Sequence, residues 1–373
     1  MGNLIKFAEI FFVRRRWLKT GAVFLLFFSL LLSQLIVRTV EPRWDARDEV
    51  YPGFTYVIDA VREGRFPLWD PYTKGGYPFH AEPHQPTLSP VALVLGLTIS
   101  DTGLGFIFYW LIHWALAGLG MLWLVRILGG TPLGGFVAAV CFSFSGFFIG
   151  NAEHTPFMVN AAYLPWILGL ADLGISRKKS GYFLLAGFAM GLSSLGGYPA
   201  FVGFMGLTLG LWLVLRYSTE WRAVAIALGV VGVCTVLVWL PVLHAFFVEG
   251  VGHTERLATL DPHLANFGEP FTFPAFFTLF FPFTTFAARD WMGSDISMSD
   301  GYVGILTLPL AVYWWLSETE RSKRPWWWLG FFLFMFVLSL GGRAGLRTLL
   351  YYIFRLLDTF DIAVFSGSIG YLR

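Results

Sequence analysis

Charge is what this sequence has least of. Asp, Glu, Lys and Arg make up 13% of its 373 residues, against roughly a quarter in an average soluble domain. A chain this poor in charge and 56% hydrophobic cannot clothe a water-facing surface, so no separate soluble domain is expected. Cysteine is nearly missing too. Cys141 and Cys234 both lie in apolar runs, where a thiol is a small core residue and says nothing about redox compartment. There is no Walker loop, dinucleotide fingerprint or serine-nucleophile elbow, which argues against cytoplasmic nucleotide chemistry. Membrane lipids are expected partners and nucleic acid is not.

What the chain does have is long apolar runs, several near the length of about 20 residues that crosses a bilayer core. Spans are expected near 21–38, 104–125, 133–149, 157–173, 181–195, 200–215, 223–247, 302–316 and 326–341, with a shorter helix at 88–99 and an amphipathic segment at 345–357. The fold class is therefore all-α: a polytopic transmembrane bundle of about nine to eleven spans, one domain over 1–373. Arg14, Arg15, Arg16 and Lys19 precede the first run with no small-residue cleavage site after it, so that run is expected to stay as a span with its basic flank in the cytoplasm.

Alternating the spans from that start puts every short basic connection on one side: Arg126, then Arg177, Lys178 and Lys179, then Arg216 and Arg222, then Arg321, Lys323 and Arg324. That asymmetry is the positive-inside rule. On this threading only Glu9, Asp172, Glu220, Glu318 and Glu320 of the acids fall inside. Most of the others concentrate in two outer loops, 39–87 and 248–301, and acids contribute little to topology.

The first loop opens with "WDARDEVYPGFTYVIDAVREG", 44–64. Phe54, Val57, Ile58 and Val61 form an i, i+3, i+4, i+7 stripe, with Pro52 suited to the first turn and Gly64 to the position past the end. A short helix is expected here, lying flat at the outer interface with its stripe in lipid or against the spans. Its N-terminus, just after Asp45, Asp48 and Glu49, would make a seat for a phosphate. On charge alone, these acids read equally well as a solvated helix cap. The following "GRFPLWDPYTKGGYPFHAEPHQP" is long, rich in Pro and Gly, and aromatic; such loops are functional or disordered, and the aromatics argue for order.

In the stretch "HAEPH", His80, Glu82 and His84 alternate and would share a face on extended chain, a possible transition-metal set. Asp45 with Asp48 is an alternative seat for Mg2+ or Mn2+. Glu153 and His154 sit at the outer end of the third span and read either as a polar wall of a site or as a hydrated loop pair. Asp300, just before Tyr302, would face the site from the eighth span. His113 and His244, both within spans, are read as interhelical hydrogen-bond partners. The run "FTFPAFFTLFFPFTTF", broken by Pro274 and Pro282, reads as a re-entrant or surface-lying helix and an aromatic belt.

The order of several stretches resembles the YfhO-type bacterial membrane proteins: Asp45, Glu49, Tyr51 and Pro52, then "GRFPLWDPYTKGGYP", "SFSGFFIGNAEHTPFMVNAAYLPWILGLADL", "LGGYPAF", "LPVLHAFFVEGVGHTER" and "SDGYVGILTLPL". Glu49 stands where that pattern has Gln, and Asp70 where it has Asn. The family is grouped with the GT-C glycosyltransferases, multi-span enzymes with an essential acid in the first outer loop and polyprenyl-phosphate sugars as donors. The resemblance implies an inverting sugar transfer onto a cell-envelope polymer or glycolipid at the outer face of the bacterial cytoplasmic membrane. It matches Asp45 to the loop acid, with Asp48 in reserve, and Arg256 to a family arginine for the donor phosphate, ahead of Arg47 and Arg43. Arg256 pairing with Glu255 or Glu249 is the plain alternative. Relatives continue past this chain's last residue with more spans or an outer domain, so a fragment or short form is expected. A flippase of lipid-linked sugars would favour mid-membrane charges and repeated halves, neither of which is evident. A structural subunit of an envelope enzyme is the third reading.

Overall fold

A computed structural model of the protein describes residues 2–38, 40–73, 75–253, 271–293, 295–317 and 326–358. All its regular elements are helices; among the described residues the sole strand-like feature is an isolated bridge between Asp70 and Tyr77. The principal helices are α1 (Gly2–Leu31), α2 (Tyr51–Arg62), α3 (Pro90–Thr98), α4 (Thr102–Ile127), α5 (Pro132–Ser143), α6 (Thr155–Ser176), α7 (Gly181–Ser194), α8 (Pro199–Arg216), α9 (Trp221–Ala245), α10 (Thr307–Ser317), α11 (Trp326–Ser339) and α12 (Leu346–Asp358). Among the described residues, five helical stretches are long and apolar enough to cross a membrane: Thr102–Ile127, Pro132–Gly150, Thr155–Ser176, Pro199–Arg216 and Ser218–Gly250.

The helix starts are written locally. Asp101 accepts from the Leu104 N–H at 2.9 Å ahead of α4, and Thr131 accepts from the Gly134 N–H at 3.1 Å ahead of α5, each satisfying a donor that a helix start leaves open. Proline at the first turn of α3, α5, α6 and α8 sits where its missing N–H costs nothing. Short connections then join α4 to α9 in sequence. Helix α4 packs on α5 and α6, α6 on α7, and α7 on α9. Small residues permit these approaches: a Cβ on Gly118 of α4 would strike Phe24 of α1, and one on Gly187 of α7 would lie 2.7 Å from the Val231 carbonyl of α9.

At the end of the bundle that carries the basic connections, buried Asp172 receives Arg216 Nε at 2.5 Å and the Tyr217 hydroxyl at 2.9 Å. The same guanidinium lies 5.6 Å from the Trp327 ring centroid. This joins the ends of α6, α8 and α11.

Several expectations change here. The eighth span does not begin at 302: Gly304 has φ of 95°, backbone no helix accepts, and α10 starts at Thr307 with 11 residues. Helix α11 has 14 residues, shorter than a span of ordinary length. The third expected span keeps its extent, Pro132–Gly150, but its helix is interrupted near Ser145, between α5 and a short helix, Gly146–Gly150. His113 Nδ1 pairs with the Tyr109 carbonyl at 2.8 Å, one turn back in its own helix rather than across to another. His244 is exposed at the edge of a side cavity with His80 and Glu249. The Phe-rich run forms only a 3₁₀ segment, Pro274–Leu279, and a short turn, Thr284–Ala287.

Helix α2 forms where the stripe places it. Phe54, Val57 and Ile58 are fully buried, packed on α3 and α4; the face turns to protein and not to lipid. Gly64 has φ of 69° and its N–H reaches the Val61 carbonyl, ending the helix. The loop beyond is ordered by packing: Phe79, Ala81, His84 and Gln85 are buried, and Gln85 lies so close to Gly53 that a Cβ there would clash.

Candidate functional site

One widened helical turn decides how the first-loop acids point. Residues Ala46–Val50 form a π turn that runs without a break into α2. The N–H groups at the start of α2 therefore follow a preceding turn, and the expected phosphate seat at residue 51 does not exist as a free helix end. The chain's helical start moves back to Asp45, with Asp48 and Glu49 in its first turn, a favourable end for negative charge.

Asp45 and Glu49, four residues apart on this turn, both line a cavity of about 600 Å³. Asp48 does not. It is exposed and takes Arg47 Nε at 2.7 Å, and that guanidinium holds its carboxyl below the usual carboxylate range. It is Glu49, and not Asp48, that accompanies Asp45 at the cavity. Arg47 is committed to Asp48, and Arg43 is exposed; neither lines the cavity. Arg256 lies outside the described residues.

The other cavity walls come from distant parts of the chain. His154, just ahead of α6, places Nε2 3.5 Å from Asp45 Oδ2, and its ring stacks on Phe157 with centroids 5.1 Å apart. His84, 5% exposed, directs Nε2 to Glu49 Oε1 at 3.0 Å and places Nδ1 2.9 Å from Glu82 Oε1. The first contact is an aligned hydrogen bond; the second is close in distance without that alignment. Asp300 enters from the segment before α10, where burial pushes its carboxyl above the usual range and the Tyr302 N–H, donating at 3.1 Å, pulls it partly back. The polar part of the lining is thus Asp45, Glu49, His84, His154 and Asp300. Phe157, Phe201, Phe204, Leu207, Met335 and Leu338, from α6, α8 and α11, supply an apolar wall to the same cavity.

Glu153 does not line the cavity but borders it. Burial first, then Asp295 and Asp45, push its carboxyl up to about 7, with Arg289 opposing. Tyr302 also stays out of the lining; its carbonyl receives the Gly146 N–H at 2.7 Å. The alternation in "HAEPH" splits across the loop: Glu82 and His84 turn towards Glu49, while His80 contacts the Leu68 carbonyl at 3.0 Å and Glu249 at 3.6 Å. Those three do not meet at one point, and no three His, Cys, Asp or Glu side chains among the described residues are arranged to hold a metal. Asp45 and Asp48 likewise diverge, so the donor sets foreseen for Mg2+ or Mn2+ are not assembled by these residues.

Sequence reading missed Asn151. It is 2% exposed, lines the cavity, and its Nδ2 donates to the carbonyls of Phe147 and Ser297 at 3.0 and 3.1 Å. Its place two residues before Glu153 was the available signal. Tyr77, buried beneath the loop, has its phenol pushed above the ordinary range by burial and by Glu82, Asp70 and Glu49, so it is a neutral hydroxyl at the rear of the site. Comparison with family models, curated proteins and solved structures returns no match to this chain.

Proposed function

We propose that the protein is a membrane glycosyltransferase of GT-C type, moving a sugar from a polyprenyl-phosphate donor to a cell-envelope acceptor at the outer face of the cytoplasmic membrane, with its N-terminus inside. The observation that carries this reading is the mixed lining of the cavity: carboxylates and imidazoles share it with an apolar wall from α6, α8 and α11. An amphiphile with a polar, reacting head matches both kinds of lining. The motif order that resembles the YfhO-type proteins supports the same reading.

In the reaction, Asp45 removes the proton from the acceptor hydroxyl while that oxygen bonds to the sugar C1 from the face opposite the phosphate. The C1–O bond to phosphate breaks, its electron pair leaving on the phosphate, through a transition state with oxocarbenium character. His154, 3.5 Å from Asp45, can offer an N–H to the growing phosphate charge, the place where electrostatic help is worth most. The test is to supply labelled polyprenyl-phosphate sugars to membranes holding wild-type protein or Asp45→Asn at matched levels. Labelled envelope material from the wild type and almost none from the variant supports the reading; equal labelling sinks Asp45 as the base.

A further inference from the structure

Resting on that reading, we propose that Glu49, held from behind by His84, is the ring-recognising carboxylate of a sugar subsite that takes a pyranose. Three features of the cavity lead there. The first is a carboxylate held still. His84 bonds Glu49 Oε1 at 3.0 Å, and Glu82 lies 2.9 Å from the other ring nitrogen, so the aligned bond from the imidazole fixes where that oxygen stands. A carboxylate has about four acceptor sites. The Glu49 side chain is 52% exposed and faces the cavity.

The second is acceptor chemistry around it. Asp45 and Asp300 line the same space, and Asn151, whose amide hydrogens go to two carbonyls, has an Oδ1 with no hydrogen-bond partner among the described residues. Such a wall suits a ligand rich in O–H donors, and charge-assisted bonds of this kind are the strong ones. The third is an aromatic surface. Phe157, Tyr198 and Phe201 line the cavity, with the Phe157 ring centroid 4.9 Å from that of Tyr198 and 5.4 Å from that of Phe201. The C–H face of a sugar ring packs on such rings while its hydroxyl edge meets carboxylates. A simple alcohol has no use for the combination; a pyranose uses all of it.

The subsite would hold either the acceptor sugar or the sugar of the donor lipid. Saturation-transfer NMR on the full chain in lipid nanodiscs, with methyl glucoside, methyl mannoside and methyl N-acetylglucosaminide as probes, tests it without requiring turnover. Expected is binding of at least one glycoside by the wild type, weakened about tenfold in Glu49→Gln and in His84→Gln, and unchanged in Asp48→Asn. Of the singly deoxygenated glycosides, one should bind about tenfold more weakly to the wild type yet lose nothing further in Glu49→Gln, a result that misfolding cannot imitate. Displacement of the glycoside by polyprenyl-phosphate sugar assigns the subsite to the donor; its persistence assigns it to the acceptor. No glycoside binding, or equal binding by wild type and Glu49→Gln, overturns the proposal. Glycoside binding in a protein that transfers no sugar would overturn the transferase reading and leave the subsite standing.

Discussion

Asp45 and His154 face each other at 3.5 Å although 109 positions separate them in the chain, one from the π turn before α2 and the other from the lip of α6. The pair joins a proton acceptor to a potential donor at one edge of the cavity. Replacing Asp45 by Asn keeps size and polarity and removes the proposed base. The proposed sugar transfer should fall by about 10²–10⁴, the usual worth of a placed base. Asp45 is exposed, so the thermal unfolding temperature should hardly move. Rate and unfolding measured on the same preparation separate the two effects.

The apolar helices were legible because their composition leaves few alternatives, and α2 because its stripe has a 3.6-residue period with Pro52 and Gly64 at its ends. The π turn was not legible. It adds no residue pattern of its own, yet it joins Ala46–Val50 to α2 and thereby removes the phosphate seat expected at residue 51. The short α10 was hidden by Gly304, whose positive φ an apolar run does not disclose. The site was half visible. Asp45, Glu49, His154 and Asp300 were picked individually, but that His84 would stand behind Glu49 while His80 turned to Glu249 depends on how the loop folds over α2. Spacing along the chain carries no such information.

Glu153 gives the protein a pH dependence of defined sign. Its carboxyl rises from an ordinary 4.5 to about 7 because of burial and the nearby Asp295 and Asp45. The folded state therefore holds a proton that the unfolded chain has already released between those values. Stability from this group is complete below about 4.5 and declines as pH climbs through 7. Glu153→Gln keeps the neutral form at every pH. It should unfold at a higher temperature than the wild type at pH 8, match it near pH 4.5, and show a flatter profile between.

The Asp172 cluster is expected to matter for stability and not for chemistry. Asp172 is 3% exposed and bonds both Arg216 and Tyr217. Asp172→Leu would strand the guanidinium beside Trp327 without its counter-charge. Removing one member of a buried pair costs about 3 kcal/mol or more, visible as earlier unfolding in a denaturing-detergent titration. Arg216→Lys should lose part of the same stability, since a lysine cannot reproduce the planar contact with Trp327.

Two glycines make opposite predictions about one substitution. Gly146 carries no side chain because Asp300 crosses directly over it: an added Cβ would collide with both the carboxylate and the backbone carbonyl of that residue, and the Gly146 N–H is bonded to the Tyr302 carbonyl at 2.7 Å. Gly146→Ala should force the 299–302 segment outward and move Asp300 off the cavity wall, lowering both the proposed sugar transfer and the unfolding temperature. Gly203 in α8 has nothing within 4 Å of where its Cβ would stand and lies inside a helix. There alanine removes only backbone freedom from the unfolded chain and should stabilise by up to about 1 kcal/mol. Measuring the two variants together isolates the close approach at Gly146 as the cause, because the chemical change is identical. If Gly146→Ala behaved like Gly203→Ala, Asp300 would not be held where it is described, and the cavity would lose one of its carboxylates.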